Sequence, residues 1–355
     1  MELARAETLP ARWYHDAGVY ARERERVFAR EWLLFGHESQ LPEPGDALAE
    51  TIAGWPLFVR RAEDGSLRGF HNVCRHRAGP LVWEGAERCR VLRCKYHGWV
   101  YGSDGALQSA HDFGDAEDFD PAQIALAPIR VACWRGFVFV NLDADAEPLE
   151  AALAPFFAAA AAVPIEAATL QGQASHALAC NWKTYVENYL EGYHVPYLHP
   201  ALHREIDVKG YRVEVGDGFA LHTAPPRPSV KEPVYEGFWA WLAPNAALNV
   251  YASGMSVERM IPTGPETMKI EYLFCFRASG DAGAAERDAA LAMCARVTDE
   301  DRRICEAVQR NLRAGVYRAG RLSPRHENGV FAFQERVRSA LGSEETWTST
   351  TSGST

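Results

Sequence analysis

Two short stretches, Cys74-Arg-His76 and Cys94-Lys-Tyr-His97, each carry one thiol and one imidazole two or three residues apart. A chain that brings both pairs to one inorganic centre must set two tight loops side by side, which constrains the strands that carry them. Together they offer two sulfur and two nitrogen donors. Zinc accepts such a set tetrahedrally, but its usual fingers pair cysteine with cysteine and histidine with histidine. A [2Fe-2S] centre with two Cys on one iron and two His on the other matches two loops that each hold one of both. Gly79 and Pro80 after the first pair, and Gly98 after the second, suit tight loops that turn backbone N–H groups toward sulfur. Cys89 has no histidine at matching spacing and is read as structural. Cys133, Cys180, Cys275, Cys294 and Cys305 lie in apolar or periodic segments and read as inert buried thiols.

The chain around these loops reads as α+β: a small antiparallel β domain, then a larger domain of antiparallel sheet flanked by helices, of the helix-grip type. A helical segment over roughly Asp16 to Trp32 places residues 1–40 as an N-terminal piece packing on the larger domain. From Ala47 to about Asn141 short β-branched and aromatic runs alternate with Gly and Asp turns, giving a β domain over 41–148 with an acidic linker at Asp143 to Pro148. Ala151 to Val163 reads as a short helix. The larger domain, 149–345, becomes distinct near Ala167, with strands at Gly237 to Ser256 and Lys269 to Arg277 and a helical block from Ala284 to Ala314. Residues 346–355, rich in Ser, Thr and Gly, read as a flexible tail. A net charge of −10 argues against nucleic acid or an anionic membrane surface as partner. No apolar run reaches the roughly 18 residues of a spanning helix, and the N-terminus lacks a signal-like apolar core. The expected address is cytoplasmic, where a disulfide framework is not expected of the eight cysteines.

A second constellation lies between Asn181 and Pro200. A helix over 183–194 would put Glu187, Glu191 and His194 on one face. Pro196 and Pro200 break it, so His199 falls on a turn just beyond. Two imidazoles at one helix end can converge, and with a carboxylate from elsewhere they form the two-His, one-carboxylate face that suits non-haem Fe(II). Taken alone, the same spacing also fits a helix-to-loop junction with two unrelated histidines.

With both motifs in view, the chain resembles the catalytic α subunits of Rieske non-haem iron oxygenases over nearly its whole length. The likeness is carried by Cys74-x-His76-Arg77 with Cys94-x-x-His97-Gly98-Trp99, and by Glu191-x2-His194-x4-His199. Lys95 stands where proline is common in that family, and Glu191 where many members carry aspartate. The resemblance implies a Rieske [2Fe-2S] cluster on Cys74, His76, Cys94 and His97, and a mononuclear Fe(II) on His194, His199 and a carboxylate of the late helix. Among Asp299, Glu300, Asp301 and Glu306 it favours Asp301, with Asp299 next, and leaves the others as solvated charge near a helix start. It further implies that Glu191 joins an iron histidine to a cluster histidine of a neighbouring subunit. Asn188 and Glu187 are candidates for support around the iron, or for plain packing; His203 reads as structural.

The same resemblance implies a terminal oxygenase that takes O2 and receives electrons from a separate flavin and iron-sulfur reductase using NAD(P)H, since no G-x-G-x-x-G follows a strand here. A homotrimer is the implied assembly. The segments Asp301 to Arg310, Gly320 to Pro324 and Glu327 to Val330 are similar to members that oxidise methylated amines, so C-hydroxylation with N-dealkylation is the first expectation and an aromatic-acid ring hydroxylase or dioxygenase the second. Trp239, Trp241, Tyr251 and Tyr193 are candidates for a cation-binding aromatic cage. A Rieske electron carrier and a zinc-stabilised binding protein stand as readings from other classes.

Overall fold

The computed structural model describes residues 2–161, 168–277 and 283–342. The chain divides into two compact units, one of residues 28–152 and one of residues 1–27 with 153 onward. The divisions thus fall near residues 27 and 152, where the sequence placed them at 40 and 148. The expected flexible tail, 346–355, and the expected start near Ala167 lie outside the described residues.

The long helix expected over Asp16 to Trp32 is shorter. Helix α1, Ala17–Glu23, is capped by Asp16, whose carboxylate accepts from the amides of Gly18 and Val19 at 2.7 and 2.9 Å. One wider, π-type turn follows at Arg24–Phe28, and then the chain enters strand β1, Leu33–His37. The reason is packing: Leu33, Leu34 and Phe35 are all buried, and the pairing of β1 with a neighbouring strand outweighs a helical pattern of Val27, Phe28 and Trp32.

The smaller unit is antiparallel, as expected. After β1 come β2 (Asp46–Ile52), β3 (Trp55–Arg61), β4 (Leu67–His71), β5 (Gly85–Arg88), β6 (Leu92–Arg93), β7 (Val100–Tyr101), β8 (Leu107–Ser109), β9 (Pro128–Trp134) and β10 (Phe137–Asn141). Seven of these form a sheet in the order β1-β10-β9-β4-β3-β2-β5, and β6-β7-β8 form a small second one. The first Cys/His pair lies between β4 and β5, the second between β6 and β7. Phe58, Phe70, Leu81, Leu92, Trp99 and Tyr101 bury the space between them. Cys89 is buried in this core as expected, its thiol pushed up to about 11 first by burial and then by the Glu87 carboxylate. Cys133 is not: it is exposed on β9, because even an inner strand of a sheet alternates its side chains between two faces.

The chain leaves this unit through α2 (Leu149–Ala152), and α3 (Ala154–Ala159) follows. The helix expected over Ala151 to Val163 is therefore interrupted at Leu153, with Pro155 opening the second piece. The larger unit is built on a seven-stranded antiparallel sheet of β11 (Thr169–Leu178), β12 (Arg212–Gly216), β13 (Phe219–Thr223), β14 (Tyr235–Leu242), β15 (Ala246–Tyr251), β16 (Gly254–Gly264) and β17 (Thr267–Phe276), in the order β11-β17-β16-β15-β14-β13-β12. Helices α4 (Trp182–Tyr189), α5 (Val195–Leu198), α6 (Pro200–Glu205), α7 (Ala284–Arg313) and α8 (Asn328–Leu341) complete it. The buried side of α7 is Ala290, Cys294, Thr298, Asp301, Cys305, Gln309 and Leu312, a three-four spacing that winds one stripe along the helix. Helix α4 is held by its own buried cluster: Lys183 Nζ donates to Glu23 of α1, and the Trp182 indole donates to the same carboxylate at 2.8 Å.

Candidate metal sites and pocket

In the smaller unit the two Cys/His loops share one backbone design. The Cys74 amide donates to Gly79 O at 2.9 Å and the Ala78 amide to Cys74 O; the Cys94 amide donates to Trp99 O at 2.8 Å and the Gly98 amide to Cys94 O. Both fourth positions after the cysteine, Ala78 and Gly98, have positive φ, 56° and 75°. A Cβ on Gly79 would lie 2.7 Å from Tyr96 Cβ and 2.9 Å from Cys94 Sγ, so glycine there lets the loops touch. Lys95 N bonds Pro80 O across them at 2.9 Å.

The donor side chains sort by element. The thiols of Cys74 and Cys94 are close enough to interact, while the His76 and His97 rings lie 4.6 Å apart. Burial above all holds the Cys74 thiol above its ordinary range. Tyr101 Oη sits 3.1 Å from Cys74 Sγ, and His76 stacks on Trp99. His76 Nδ1 is buried with no partner, a nitrogen left for a ligand to claim. A single zinc would need all four donors within about 4 Å of one another. Among the described residues these four do not form such a group. Paired sulfurs and paired imidazoles around a two-iron core fit instead.

In the larger unit α4 ends at Tyr189, so the helical face expected to carry Glu187, Glu191 and His194 together does not form. Just past its end Glu191 bonds forward along the chain: its carboxylate accepts from the amides of Tyr193 and of His194, the latter at 3.2 Å, in competition with helical pairing. Glu187 turns elsewhere and accepts from Tyr14 Oη at 2.6 Å and Gln334 Nε2 at 2.9 Å, tying down the N-terminal segment and α8. Burial pushes its carboxyl up to about 7. His199 sits, as expected, on the break between α5 and α6.

His194, His199 and Asp301 gather three ligand atoms within 4.8 Å. The two Nε2 atoms are 3.1 Å apart, and Asp301 Oδ1 is 3.0 Å from His199 Nε2. Two metal–nitrogen bonds of about 2.1 Å at a right angle separate their nitrogens by about 3.0 Å. The proton positions point the same way. His194 Nδ1 lies 2.5 Å from Glu191 Oε1, and His199 Nδ1 lies 2.7 Å from Glu300 Oε2. A carboxylate only accepts, so each Nδ1 carries the proton and each Nε2 presents a lone pair. Three acceptors then face one point, an arrangement that calls for a cation. Burial pulls the His199 imidazole down, but the Asp301 and Glu300 carboxylates outweigh it and hold its pKa above the ordinary value. Asn188 Nδ2 donates to Asp301 Oδ1 at 2.7 Å.

The acids of α7 separate by face. Asp301 is 7 % exposed and is the one acid on the buried stripe, whereas Asp299 pairs with Arg302 and Arg303 on the outer side. Glu300 overturns the expectation of a solvated acid near a helix start: it lies in mid-helix and bonds His199. The stripe was readable in the sequence at the same three-four spacing. Glu300 gave no comparable signal, since its partner is 101 positions away.

The three-ligand site opens into a cavity walled by Tyr189, Tyr211, Tyr235, Trp239 and Tyr272, with Glu258 also on its lining. Of the expected cage residues only Trp239 faces it. Trp241 packs on Phe333 at 5.6 Å, Tyr251 bonds Ser256 behind the wall at 2.7 Å, and Tyr193 is half exposed and stacked on His326. The Tyr189, Tyr211 and Tyr272 hydroxyls bond Asn249, His222 and Thr298, which ties these rings in place.

A cluster fold in one unit and a two-histidine, one-carboxylate site in the other define the class: catalytic subunits that combine one-electron storage with dioxygen chemistry. Comparison with known proteins gives the family. Residues 31–120 match the Rieske [2Fe-2S] domain, and residues 165–343 match the ring hydroxylating alpha subunit catalytic domain. The chain is 31% identical to the chloroplastic choline monooxygenase of Beta vulgaris over 92% of this chain and 76% of that protein. It is 31% identical to the carnitine monooxygenase oxygenase subunit of Acinetobacter pittii over 94% of each. A solved quaternary ammonium Rieske monooxygenase, studied for carnitine oxidation by gut microbiota, superposes with a TM-score of 0.86 at 28% identity, over 96% of this chain and 97% of that one. The chain belongs to the ring-hydroxylating α-subunit family of Rieske non-haem iron oxygenases. It is an oxygenase whose cofactors are a Rieske [2Fe-2S] cluster and a mononuclear iron, and no helix among the described residues is long and apolar enough to cross a membrane.

Proposed function

We propose that this chain is the terminal oxygenase component that hydroxylates a methylated amine at carbon, with loss of the N-alkyl group as an aldehyde. The observation that carries the reading is the wall of aromatic rings beside the three-ligand site, the recognition chemistry of an alkylated ammonium. The relatives named for choline and carnitine support it. In this reading Cys74, Cys94, His76 and His97 hold the cluster, and His194, His199 and Asp301 hold the iron. Bound there, the metals supply dioxygen activation and the electrons for it.

The chain's own residues do the rest. Glu191 and Glu300 keep the Nδ1 protons in place and so aim both Nε2 lone pairs inward. Asn188 steadies Asp301. Tyr189, Tyr235 and Trp239 hold the ammonium so that one methyl group approaches the iron site. Glu191 also links the imidazole of His194 to a cluster histidine of a neighbouring subunit, which makes a homotrimer the working assembly, fed by a separate flavin and iron-sulfur reductase. The test is to reduce the protein chemically and follow substrate-dependent O2 uptake over a panel of methylated amines and aromatic acids. Uptake with amines, with aldehyde formed, is expected; uptake with aromatic acids alone would overturn the reading.

A further inference from the structure

The cavity holds a charge that the dioxygen site does not use. Glu258, on β16, is 4 % exposed and lines the same space as the aromatic wall. Its oxygens accept from Asn249 Nδ2 at 2.7 Å and Tyr185 Oη at 3.0 Å. Among the described residues no Lys or Arg is paired with it or lines the cavity. The nearest basic group of the lining sequence neighbours, Arg259, faces the other side of the sheet and pairs with Glu271. Lys209 and Arg212 line a separate outer groove. Besides Glu258, the charged side chains of the lining are Glu191 and Asp301, both acids, together with the two imidazoles.

A buried carboxylate without a counter-cation is costly, and the protein answers with two hydrogen bonds and a carboxyl pushed up to about 7, by burial first. A ligand that brings its own positive charge removes the deficit. A ligand that also carries a carboxylate finds no Lys or Arg for it among the lining residues and meets Glu258 and Asp301.

We propose, resting on the amine reading above, that Glu258 selects a substrate of net positive charge with no carboxylate of its own: a choline-type amino alcohol or simple alkylated amine, in preference to a zwitterionic betaine. The aromatic rings recognise the alkyl groups, and Glu258 recognises the charge. The two contributions are separable, because an uncharged molecule of the same shape satisfies only the first.

The experiment measures binding to the oxidised, fully loaded holoenzyme by calorimetry, so that no turnover is needed. Three ligands of similar size are compared: choline, its uncharged carbon isostere 3,3-dimethylbutanol, and glycine betaine. Choline should bind most tightly, with the other two weaker by about tenfold or more, the lower end for a close charge pair. In Glu258→Gln, choline should weaken by about tenfold or more while the isostere keeps its affinity. Betaine binding wild type as tightly as choline would overturn the proposal. So would a folded Glu258→Gln variant that keeps the full preference for choline over its isostere. The wild-type comparison stands on its own should that variant not fold. If none of the three binds while an aromatic acid does, the amine reading itself has failed, and this assignment with it.

Discussion

Replacing Glu300 with glutamine should loosen iron in the larger unit without disturbing the fold. Glu300 Oε2 is 2.7 Å from His199 Nδ1, and its side chain is 23 % exposed. As a pure acceptor it fixes the proton on Nδ1, and only then does Nε2 present the lone pair that faces His194 and Asp301. An amide in its place offers either a neutral oxygen, a weaker acceptor, or an N–H that opposes the imidazole N–H. Loss of such a partner typically lowers metal affinity by about 10- to 100-fold, or about 1.4 to 2.8 kcal/mol. The lower end applies to Gln, because the site is partly open to water and Asp301 still faces the same ring at 3.0 Å. Glu300→Ala should cost more. The assay is competition for Fe(II) against a coloured chelator, with the visible absorbance of the cluster and the melting temperature as controls in the same sample. If both variants hold iron as tightly as wild type, this carboxylate does not set the imidazole.

Other positions make independent claims. The fully buried Lys183–Glu23 pair joins α4 to α1; Lys183→Met should destabilise the protein by about 3 to 5 kcal/mol in urea, and the double change with Glu23→Gln by clearly less, because the stranded charge is then gone. His222 is fully buried, with Nε2 unpartnered, and burial drives its pKa from 6.5 down to about 3. Below about pH 6.5 the unfolded chain takes up a proton that the folded chain refuses, so stability falls as pH drops from 6.5 toward 3, by on the order of 4 kcal/mol at the end of that range. His222→Gln should flatten that slope in urea midpoints measured between pH 7 and 5. Gly79→Ala places a methyl group on Tyr96 and on Cys94 Sγ, and should lower cluster content by absorbance and acid-labile sulfide while iron binding by the larger unit persists.

The local motifs were legible because the proposed cluster and iron ligands sit on short, punctuated segments where spacing maps directly to space. Cys74 with His76, and Cys94 with His97, share a loop each; His194 and His199 flank one four-residue helix. Asp301 was ranked over its neighbours by the family resemblance alone; the helical period, which puts it on the buried stripe with Thr298 and Cys305, carries the same choice in the structure. The sequence overran the helices at Glu23 and Tyr189. In the first case strand pairing competes with local propensity, and in the second the Glu191 side chain takes the backbone donors that a helix would use. The pocket was the least readable part. Tyr189 lies on α4, Tyr211 just before β12, Tyr235 and Trp239 on β14 and Tyr272 on β17, so only the folded chain brings them to one wall. Glu258 lies in a run of buried strand residues, where nothing in the pattern marks an acid as facing a cavity.

Iron and sulfide per chain test the central claim most directly. Reconstituted wild type should carry two acid-labile sulfides and three irons, two in the cluster and one on His194, His199 and Asp301. His194→Ala should keep both sulfides, the cluster spectrum and two irons, and lose the third together with substrate-dependent O2 uptake. A wild-type chain with two irons, or a His194→Ala chain that retains all three and turns over normally, would contradict the account.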